Sequence, residues 1–357
     1  MISLVLTNRN RDLRIVKNCL VSLINQSDID FELFLVDYGS EDDYLSELKL
    51  LVMTFPKIKL LCCPTMGQLW SKCRSINLAL QKSTQPYFVV GDIDLVFHVS
   101  YINILKKLAH KKKVYYFQYG FLSEQESLKH KNFEAFDVDF KGSEHVTGNT
   151  MFPTEALRSV NGFDEFYQGW GAEDTDAHIR MQNSGLEVVF YEDEILVKHQ
   201  WHPKAYRSIK STSPYHSNLE RINLEYMKLS QVTRRVKVNL DFAWGQITSD
   251  EAYIKLQYPT LTFQLTNSVL KTNAILAQFN NFHQEVVAIE ITPISFFEKF
   301  KNYFKKVLGR KHQPYYKMEH LNNLLLEEII KNYRNCPYSY TFDRRTNTIR
   351  LVINFAS

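Results

Sequence analysis

Two aspartates separated by one residue follow a short apolar run near residue 90. Residues 87–90 predict a buried strand, and Gly91-Asp92-Ile93-Asp94 comes directly after it. Side chains at i and i+2 leave a strand on the same side, so both carboxylates can face one ligand. Such a pair can hold a hard divalent cation that also grips a diphosphate. A turn with two solvated acids has the same sequence, and only the surroundings decide between the two interpretations.

A second group of acids stands beside a tryptophan, where residues 170–176 read WGAEDTD at the start of a predicted helix. Gly171 lets a ligand approach the backbone, and Trp170 offers a face to a sugar ring. Glu173 or Asp174 can act as a general base toward an acceptor hydroxyl. Acids that merely cap the helix, with the tryptophan in the core, explain the same residues without chemistry.

Two histidines, His199 and His202, follow both acidic groups in the chain. A neutral imidazole is a good ligand for a transition ion. A single histidine is more often structural. Here two histidines lie three residues apart, downstream of the acids, so a metal-binding role for one of them stands equally beside a structural role. The spacing does not decide which of the two it is.

The elements that must position these side chains alternate between strands and helices. The predicted strands are residues 2–7, 33–36, 58–62 and 87–90. The predicted helices are residues 12–25, 41–55 and 68–81. This alternation predicts βαβ units and a mostly parallel sheet, whose ligands bind beyond the carboxyl ends of the strands. Arg9, Arg11, Asp37 and the two aspartates all fall at that edge.

The pattern changes after about residue 203, and we divide the chain into domains at 1–230 and 231–357. The second is predicted to be a smaller α+β module. Its predicted strands are 236–242, 252–265, 338–342 and 348–355, and its predicted helices are 295–310 and 318–333. The helix at 295–310 is basic and amphipathic. It can lie on an anionic membrane, or it can pack on the catalytic domain with a solvated basic face.

The composition excludes several classes of protein. A net charge of +4 over 357 residues is too small to predict nucleic-acid binding. Five cysteines without a CxxC pair argue against a disulfide framework or a zinc site. The N-terminal apolar run is too short for a signal peptide or a membrane span. We therefore expect a cytoplasmic protein, at most peripheral on the inner face of the cell membrane. The sequence leaves its oligomeric state open.

The ordered set of motifs resembles the nucleotide-diphosphate-sugar glycosyltransferases of the GT-A fold, family 2 in the broad sense. The segment NGFDEFYQGWGAEDTD at 161–176 is similar to the C-terminal signature of the β-1,4-galactosyltransferases, and chondroitin-polymerase-type enzymes carry related versions. The resemblance covers about residues 2–207. It implies a Rossmann-like α/β catalytic domain with a mostly parallel sheet flanked by helices.

The resemblance also implies a role for each matching residue. Asp174 matches the general base of inverting members, and Asp94 with His199 matches the metal ligands, His202 being the alternative. Trp170, Gly171 and Glu173 would face the donor and acceptor sugars. The implied donor-binding residues are Thr7, Arg9, Arg11, Asp37, Arg74, Asn77, Asp92 and Gly148.

The implied reaction is an inverting transfer that depends on Mn²⁺ or Mg²⁺. A hexose or N-acetylhexosamine would pass from a nucleotide-diphosphate sugar, with UDP the first choice, to a hydroxyl of a glycan or lipid-linked glycan. Bacterial surface polysaccharide synthesis is the setting this suggests. The galactosyltransferase signature has Gly where Ala172 stands and Asp where Thr175 stands, so galactose itself is not implied.

Two other functions remain as alternatives. A nucleotidyltransferase would use the same sheet and acids but predicts a glycine-rich phosphate loop near the N-terminus, which this sequence lacks. A non-catalytic carbohydrate-binding or scaffold protein predicts decayed acids, whereas Asp92, Asp94, Glu173 and Asp174 are all present.

Overall fold

The computed structural model describes residues 1–203 and 214–356, which form two compact units. The first unit contains Met1–Cys63, the described residues from Trp70 to Pro203, and Leu219–Gln246. The second contains Pro64–Leu69, the described residues 214–218, and 247–356. No helix among the described residues has the length and apolar character needed to cross a membrane.

A seven-stranded sheet forms the centre of the first unit. Its strands are β1 (Ile2–Asn8), β2 (Glu32–Tyr38), β3 (Ile58–Cys63), β4 (Tyr87–Asp92), β6 (Lys113–Phe117), β9 (Thr150–Pro153) and β10 (Glu187–Tyr191). Their order across the sheet is β3-β2-β1-β4-β9-β6-β10. Only β9 runs antiparallel to its neighbours, β4 and β6. The predicted α/β fold with a mostly parallel sheet is confirmed.

The helices of this unit flank the sheet or contact the helices that flank it. They are α1 (Leu13–Ile24), α2 (Asp42–Met53), α3 (Lys72–Lys82), α4 (Tyr101–Leu108), α5 (Glu124–Ser127), α6 (Thr154–Ser159), α7 (Glu173–Asn183) and α8 (Leu219–Val232). Leu4 and Leu6 of β1 pack in one buried cluster with Val16 and Leu20 of α1. Alternate strand residues and one helix face therefore supply the core, as the predicted periodicities require.

A second, smaller sheet in the same unit has the order β5-β11-β7-β8. Its strands are β5 (Leu95–Phe97), β7 (Tyr119–Phe121), β8 (Phe140–Lys141) and β11 (Val197–His199). Strand β5 begins one residue after Asp94, and β11 pairs antiparallel with it, His199 opposite Leu95. This pairing brings His199 next to Asp94, two residues after the end of β4.

The structure corrects three predicted elements. The strand predicted at 252–265 begins as a helix, Asp250–Ile254, whose first-turn acids suit a helix N-terminus, and only Leu261–Thr266 forms a strand. The helix predicted at 68–81 begins only at Lys72, because Ser71 accepts a hydrogen bond from the backbone N–H of Arg74 and caps it. The strand predicted at 236–242 is absent from the described chain. Asn239 has a φ of 52° there and donates to the carbonyls of Asn161 and Phe163, so this segment follows the loop before α7. The first unit consequently extends past the predicted boundary at 230, to Gln246.

The second unit is the α+β module expected at the C-terminus. Its sheet has the order β12-β13-β15-β14, with β12 (Leu261–Thr266), β13 (Val286–Thr292), β14 (Tyr338–Asp343) and β15 (Thr348–Asn354). Its helices are α9 (Asp250–Ile254), α10 (Val269–Gln278), α11 (Phe296–Val307) and α12 (Met318–Glu328), the last continued by a π-helical turn at Ile329–Tyr333. The hairpin predicted at 338–355 is confirmed, with Asp343 opposite Thr348 at its turn.

Candidate active site

Asp94 is the centre of the first half of the site. Its Oδ2 lies 3.0 Å from His202 Nε2 and 3.3 Å from an Arg11 guanidinium nitrogen, and its Oδ1 lies 3.6 Å from His199 Nε2. Burial by itself would raise the pKa of this carboxyl, but His199, His202 and Arg11 lower it well below its ordinary value. The carboxylate is therefore held in its charged form.

The small sheet explains why His199 and His202 meet Asp94. The backbone N–H of Gln200 donates to the Asp94 carbonyl at 2.8 Å, which continues the pairing of β11 with β5. The Gln200 side chain is buried and donates to the Ile15 carbonyl of α1 at 3.1 Å. Because Gln200 is fixed in this way, the two histidines on either side of it converge on one carboxylate.

These three side chains suit a divalent cation. The ligand atoms of Asp94, His199 and His202 all lie within 4.8 Å of one another. Asp94 Oδ1 is buried and accepts no hydrogen bond from the residues that the structure describes. An oxygen buried without a donor is costly unless a cation approaches it. One carboxylate and two imidazoles are a donor set that a transition ion accepts, with room left for further ligands.

Lys72 is the centre of the second half of the site. Its ammonium lies 2.8 Å from Asp174, 3.1 Å from Asp92 and 3.5 Å from Glu173. Burial disfavours the charge on this lysine, but the three carboxylates raise its pKa well above the ordinary value. Lys72 therefore joins Asp92, at the end of β4, to the acids at the start of α7, and it stays protonated.

Asp174 differs from Asp94 in its charge environment. When all three carboxylates are ionised, the single ammonium leaves two negative charges uncompensated in this cluster. Burial raises the pKa of Asp174; Lys72 lowers it, and Glu173 and Asp92 raise it again, to about 7 in total. A carboxyl group with such a pKa exchanges a proton near neutral pH, which is what a general base requires.

The start of α7 has an unusual backbone. Gly171 has a φ of 105°, and Ala172, which precedes the helix, has a φ of 71°. A left-handed conformation costs little at glycine but is strained at alanine. These turns leave Trp170 at 47% exposure while Glu173 and Asp174 point to Lys72. Asp176 instead pairs with Arg180 at 2.7 Å inside the protein, so it is structural.

Gly148 allows a close approach beneath Asp92. A Cβ atom at this position would stand 2.5 Å from Asp92 Oδ2 and 2.8 Å from the Tyr119 hydroxyl. That hydroxyl donates to Asp92 Oδ2 at 2.8 Å. The lack of a side chain at Gly148 thus permits the hydrogen bond that orients Asp92.

The structure puts Thr7, Arg9 and Asp37 at the carboxyl edge of the main sheet. Thr7 is buried and stands opposite Asp92 in the β1–β4 pairing, and half-buried Arg9 follows the end of β1. Asp37 is fully buried and accepts hydrogen bonds from Asn8 at 2.7 Å and from the Ser40 hydroxyl at 2.6 Å. Asp37 therefore holds together the chain segments that follow β1 and β2 at this edge. This structural role is separate from its predicted contact with the nucleotide.

Arg74 and Asn77 contact a loop instead of the acidic clusters. The Arg74 guanidinium donates to Glu165 at 2.7 Å, and Asn77 donates to the same carboxylate at 3.0 Å. Asn77 also exchanges hydrogen bonds with the backbone of Phe163. Because Asn77 and Glu165 are fully buried, these contacts hold the segment that leads into Trp170 and α7.

A groove of about 250 Å³ lies beside the Asp94 centre. Arg11, Arg14, Trp201 and His202 contribute to its lining. It therefore offers guanidinium groups and an indole next to the residues that suit a cation. Phosphate oxygens are well matched by such planar donors.

Comparisons with known proteins bear on the family of this chain. The glycosyl transferase family 2 domain matches residues 3–161. A domain described as the N-terminal domain of galactosyltransferase matches residues 129–202. Residues 3–202 are those of a family 2-like glycosyltransferase. The predicted family, the GT-A type of fold and the predicted class of enzyme are thereby confirmed, and the two matches together span every residue of the acidic clusters and both histidines.

Individual relatives are distant. Chondroitin sulfate synthase 3 of Mus musculus is 24% identical over 180 residues, which are 48% of this chain and 20% of the relative. The transferase thus spans about a fifth of that protein's length. The mannosyltransferase PcManGT from Pyrobaculum calidifontis, solved with GDP-Man and Mn²⁺, has 17% identity and a TM-score of 0.41 over 58% of each chain. GalNAc-T7, solved with UDP, GalNAc and Mn²⁺, has 12% identity and a TM-score of 0.47 over 65% of this chain and 48% of its own.

Sequence reasoning missed four residues of the transferase site. Lys72, Tyr119, Asn8 and Glu165 hold Asp174, Asp92, Asp37 and Arg74, respectively. Asn8 is the last residue of β1, at the predicted ligand edge, so its position carried a signal. Lys72 and Tyr119 are distant in sequence from the acids they contact, and no local pattern distinguishes them from surface or core residues.

Proposed function

We propose that the first unit transfers a hexose or an N-acetylhexosamine from a nucleotide-diphosphate sugar to a glycan hydroxyl, with inversion at the anomeric carbon. The observation that carries this proposal is the division of the site into two carboxylate centres of opposite character. The pKa of Asp94 is lowered beside Arg11 and two imidazoles, whereas Asp174 has a pKa of about 7 in a cluster of carboxylates. One half suits a departing diphosphate, and the other suits proton removal.

In the proposed reaction, Asp174 accepts the proton of the acceptor hydroxyl. The freed oxygen forms a bond to the anomeric carbon from the face opposite the nucleotide. The bond from that carbon to the diphosphate breaks, and its electron pair leaves with the nucleotide. Arg11 and Arg9 donate to the phosphate oxygens as negative charge develops on them. This sequence needs no nucleophile from the protein, which is why we favour inversion.

Asp94, His199 and His202 are proposed to hold a divalent cation. Bound there, the ion would stabilise negative charge on the diphosphate as a Lewis acid. The sequence left open which of the two histidines binds the metal. We propose that both do, because both imidazoles face Asp94. Two imidazoles beside one carboxylate favour Mn²⁺ over Mg²⁺, which prefers oxygen ligands and retained waters.

The remaining site residues receive roles that follow from their contacts. Thr7 and Asp37, at the carboxyl edge of the sheet, are proposed to border the nucleoside, with UDP the first choice. Gly148 allows Asp92 to approach the donor sugar, and exposed Trp170 with Gly171 and Glu173 would receive the acceptor sugar. Arg74 and Asn77 are proposed to act indirectly, through the loop that carries Trp170.

The setting of the reaction is also a proposal. A glycan or lipid-linked glycan is the acceptor class we favour, in bacterial surface polysaccharide synthesis. Nucleotide sugars are made in the cytoplasm, so we place the enzyme there or on the inner face of the membrane.

A donor screen tests the proposal. The full chain is incubated with UDP-sugars and GDP-sugars, with Mn²⁺, with Mg²⁺ or with EDTA, and nucleotide release is followed with and without oligosaccharide acceptors. We expect release from one donor that is faster with Mn²⁺ and abolished by EDTA. Asp94→Ala should reduce the rate by about 10³-fold, since a metal-stabilised leaving group contributes several kcal/mol. The exposed acid Glu192 provides the control Glu192→Gln.

The product also reports the stereochemistry. Proton NMR of the first-formed glycoside gives the anomeric coupling, and retention would exclude the direct displacement. Calorimetric titration of UDP and of GDP in the presence of Mn²⁺ separates the alternatives if no donor is consumed. Binding that Asp94→Ala removes would point to a missing acceptor, whereas no binding of either nucleotide would contradict the proposed function.

A further inference from the structure

Helix α11 in the second unit carries an apolar face that its own unit leaves exposed. None of its residues is buried. Phe296 is 83% exposed and Phe297 72%, and the aromatic side chains farther along the helix are also exposed. The exposed apolar residues of this helix are Phe296, Phe297, Phe300, Tyr303, Phe304 and Val307. Their spacing places them on one side of the helix.

The opposite, polar side of α11 is the one that faces its own unit. Asn302 and Gln313 exchange hydrogen bonds through the Asn302 side chain and the Gln313 backbone. Gln313 in turn donates to the Ser268 hydroxyl at 2.6 Å. Lys299, Asn302 and Lys306 help to line a groove of about 490 Å³ in this unit. A helix on a globular protein ordinarily buries its apolar face, so this arrangement is inverted.

An apolar helix face that is turned away from its own unit indicates that an apolar partner covers this face. Phe300 and Phe304 stack edge to face with centroids 4.6 Å apart, and they present a continuous aromatic surface to solvent. Contiguous exposed apolar surface of this kind marks an interaction site for a protein or a membrane.

The charges around this surface identify the partner. Lys299 and Lys306 border the aromatic face on one side, and Lys301 and Lys305 border it on the other. Arg310 and Lys311 follow the helix, and Glu298 is the one acid within it. A second copy of the chain would bring two such lysine rows together and be repelled. A surface with an apolar interior and anionic phosphates at its boundary matches both features at once.

We propose that α11 docks the protein on an anionic lipid bilayer. The phenylalanines enter the boundary between headgroups and acyl chains, and the lysines contact lipid phosphates. This inference rests on the second unit and not on the proposed chemistry, so a failed donor assay would leave it standing.

Vesicle flotation of the full chain tests the inference. Vesicles of phosphatidylcholine and phosphatidylglycerol in equal parts are compared with vesicles of phosphatidylcholine alone. We expect binding to the mixed vesicles only, weakened by added salt because the lysine contacts are screened. The double variant Phe300→Ser/Phe304→Ser should bind at least tenfold more weakly, and so should Lys301→Glu/Lys305→Glu.

Helix α10 provides the matched control in the same unit. Leu270→Ser/Lys271→Glu changes one exposed apolar residue and one lysine and should leave vesicle binding unchanged. Asp94→Ala should bind vesicles like the unaltered chain. Absence of binding to mixed vesicles, or equal binding by the Phe300/Phe304 variant, would overturn the inference. So would a dimer in light scattering that this variant dissociates, because a second copy would then cover the face.

Discussion

Asp94 and Asp174 are both withdrawn from solvent, yet their pKa values shift in opposite directions. Asp94 faces Arg11, His199 and His202, and its pKa lies well below the ordinary value. Asp174 shares one lysine with two other carboxylates, and its pKa rises to about 7. Burial is common to both, so the local balance of charges decides the direction. Opposed shifts within one site are the usual mark of a division of roles.

The same substitution at the two positions should separate these roles. Asp94→Asn and Asp174→Asn should each lower the transfer rate, by about 10³-fold and about 10²–10³-fold, because one weakens leaving-group stabilisation and the other removes the base. Their effects on unfolding by urea should be opposite. Asp94→Asn takes the carboxylate away from Arg11, His199 and His202 and destabilises the protein. Asp174→Asn relieves excess negative charge and stabilises the protein by about 1–2 kcal/mol.

These measurements are made without added metal, so that the charges of the protein alone determine the stability. Glu192→Gln again serves as the neutral control. Two variants that are destabilised to the same extent would contradict the claim that the two carboxylates have opposite charge environments.

Lys72 is the group that distinguishes the second centre from a bare acidic cluster. Its side chain is only 12% exposed, and Lys72→Met would leave three carboxylates without a cation. We expect the free energy of unfolding to fall by about 3 kcal/mol. Adding Asp174→Asn to this variant should recover part of the loss, which a double-mutant cycle measures.

Lys228 provides a matched control for that substitution. It pairs with Glu225 at 2.7 Å, a distance close to that of Lys72 and Asp174, but on the exposed side of α8. Lys228→Met should cost less than about 0.5 kcal/mol. Similar losses for the two lysines would mean that the acidic cluster does not depend on Lys72.

The pH dependence should reveal Asp174 directly. The base must be deprotonated, so kcat/KM should rise about tenfold per pH unit below a midpoint near 7 and level off above it. Stability should move the other way. Between the ordinary pKa of 3.8 and about 7 the folded protein keeps a proton that the unfolded chain has lost, so the free energy of unfolding decreases as pH rises.

Asp94 should change the free energy of unfolding with pH in the opposite direction. Its lowered pKa contributes stability above pH 3.8 that is lost as the pH falls through the acid range. Asp174→Asn should abolish the decrease between pH 4 and 7 and leave the acid loss unchanged. A rate profile without a midpoint near neutrality would remove the main argument for Asp174 as the base.

The sequence was sufficient for the strand–helix alternation and for the residues that line the carboxyl edge of the sheet, because both follow from local periodicity. It also predicted the hairpin at 338–355 and the basic helix at 295–310. It could not predict the strand at Val286–Thr292 or the irregular path around Asn239. Whether an apolar run becomes a strand depends on the partner available to it, and that is a property of the tertiary structure.

The site shows the same limit. Asp92, Asp94, Glu173 and His199 were recognisable because each stands next to a predicted element boundary. Lys72 was not, because its function depends on the meeting of α3, β4 and α7, which no window of sequence contains. The pairing of both histidines with Asp94 likewise depends on β11 lying beside β5. Chemistry-bearing residues are therefore visible in sequence, but the residues that set their charge are not.

The smallest predicted effect concerns the residue that precedes the second centre. Ala172 stands where the galactosyltransferase signature has glycine, and its φ is 71°. Replacing it with glycine removes the left-handed strain, about 1–2 kcal/mol, but adds freedom to the unfolded chain. Ala172→Gly should therefore stabilise the protein by up to about 1 kcal/mol in thermal unfolding. Ala177→Gly within α7 should instead destabilise it by about 1 kcal/mol. If both variants lose stability alike, the turn that presents Glu173 and Asp174 to Lys72 is not strained, and its alanine is simply tolerated.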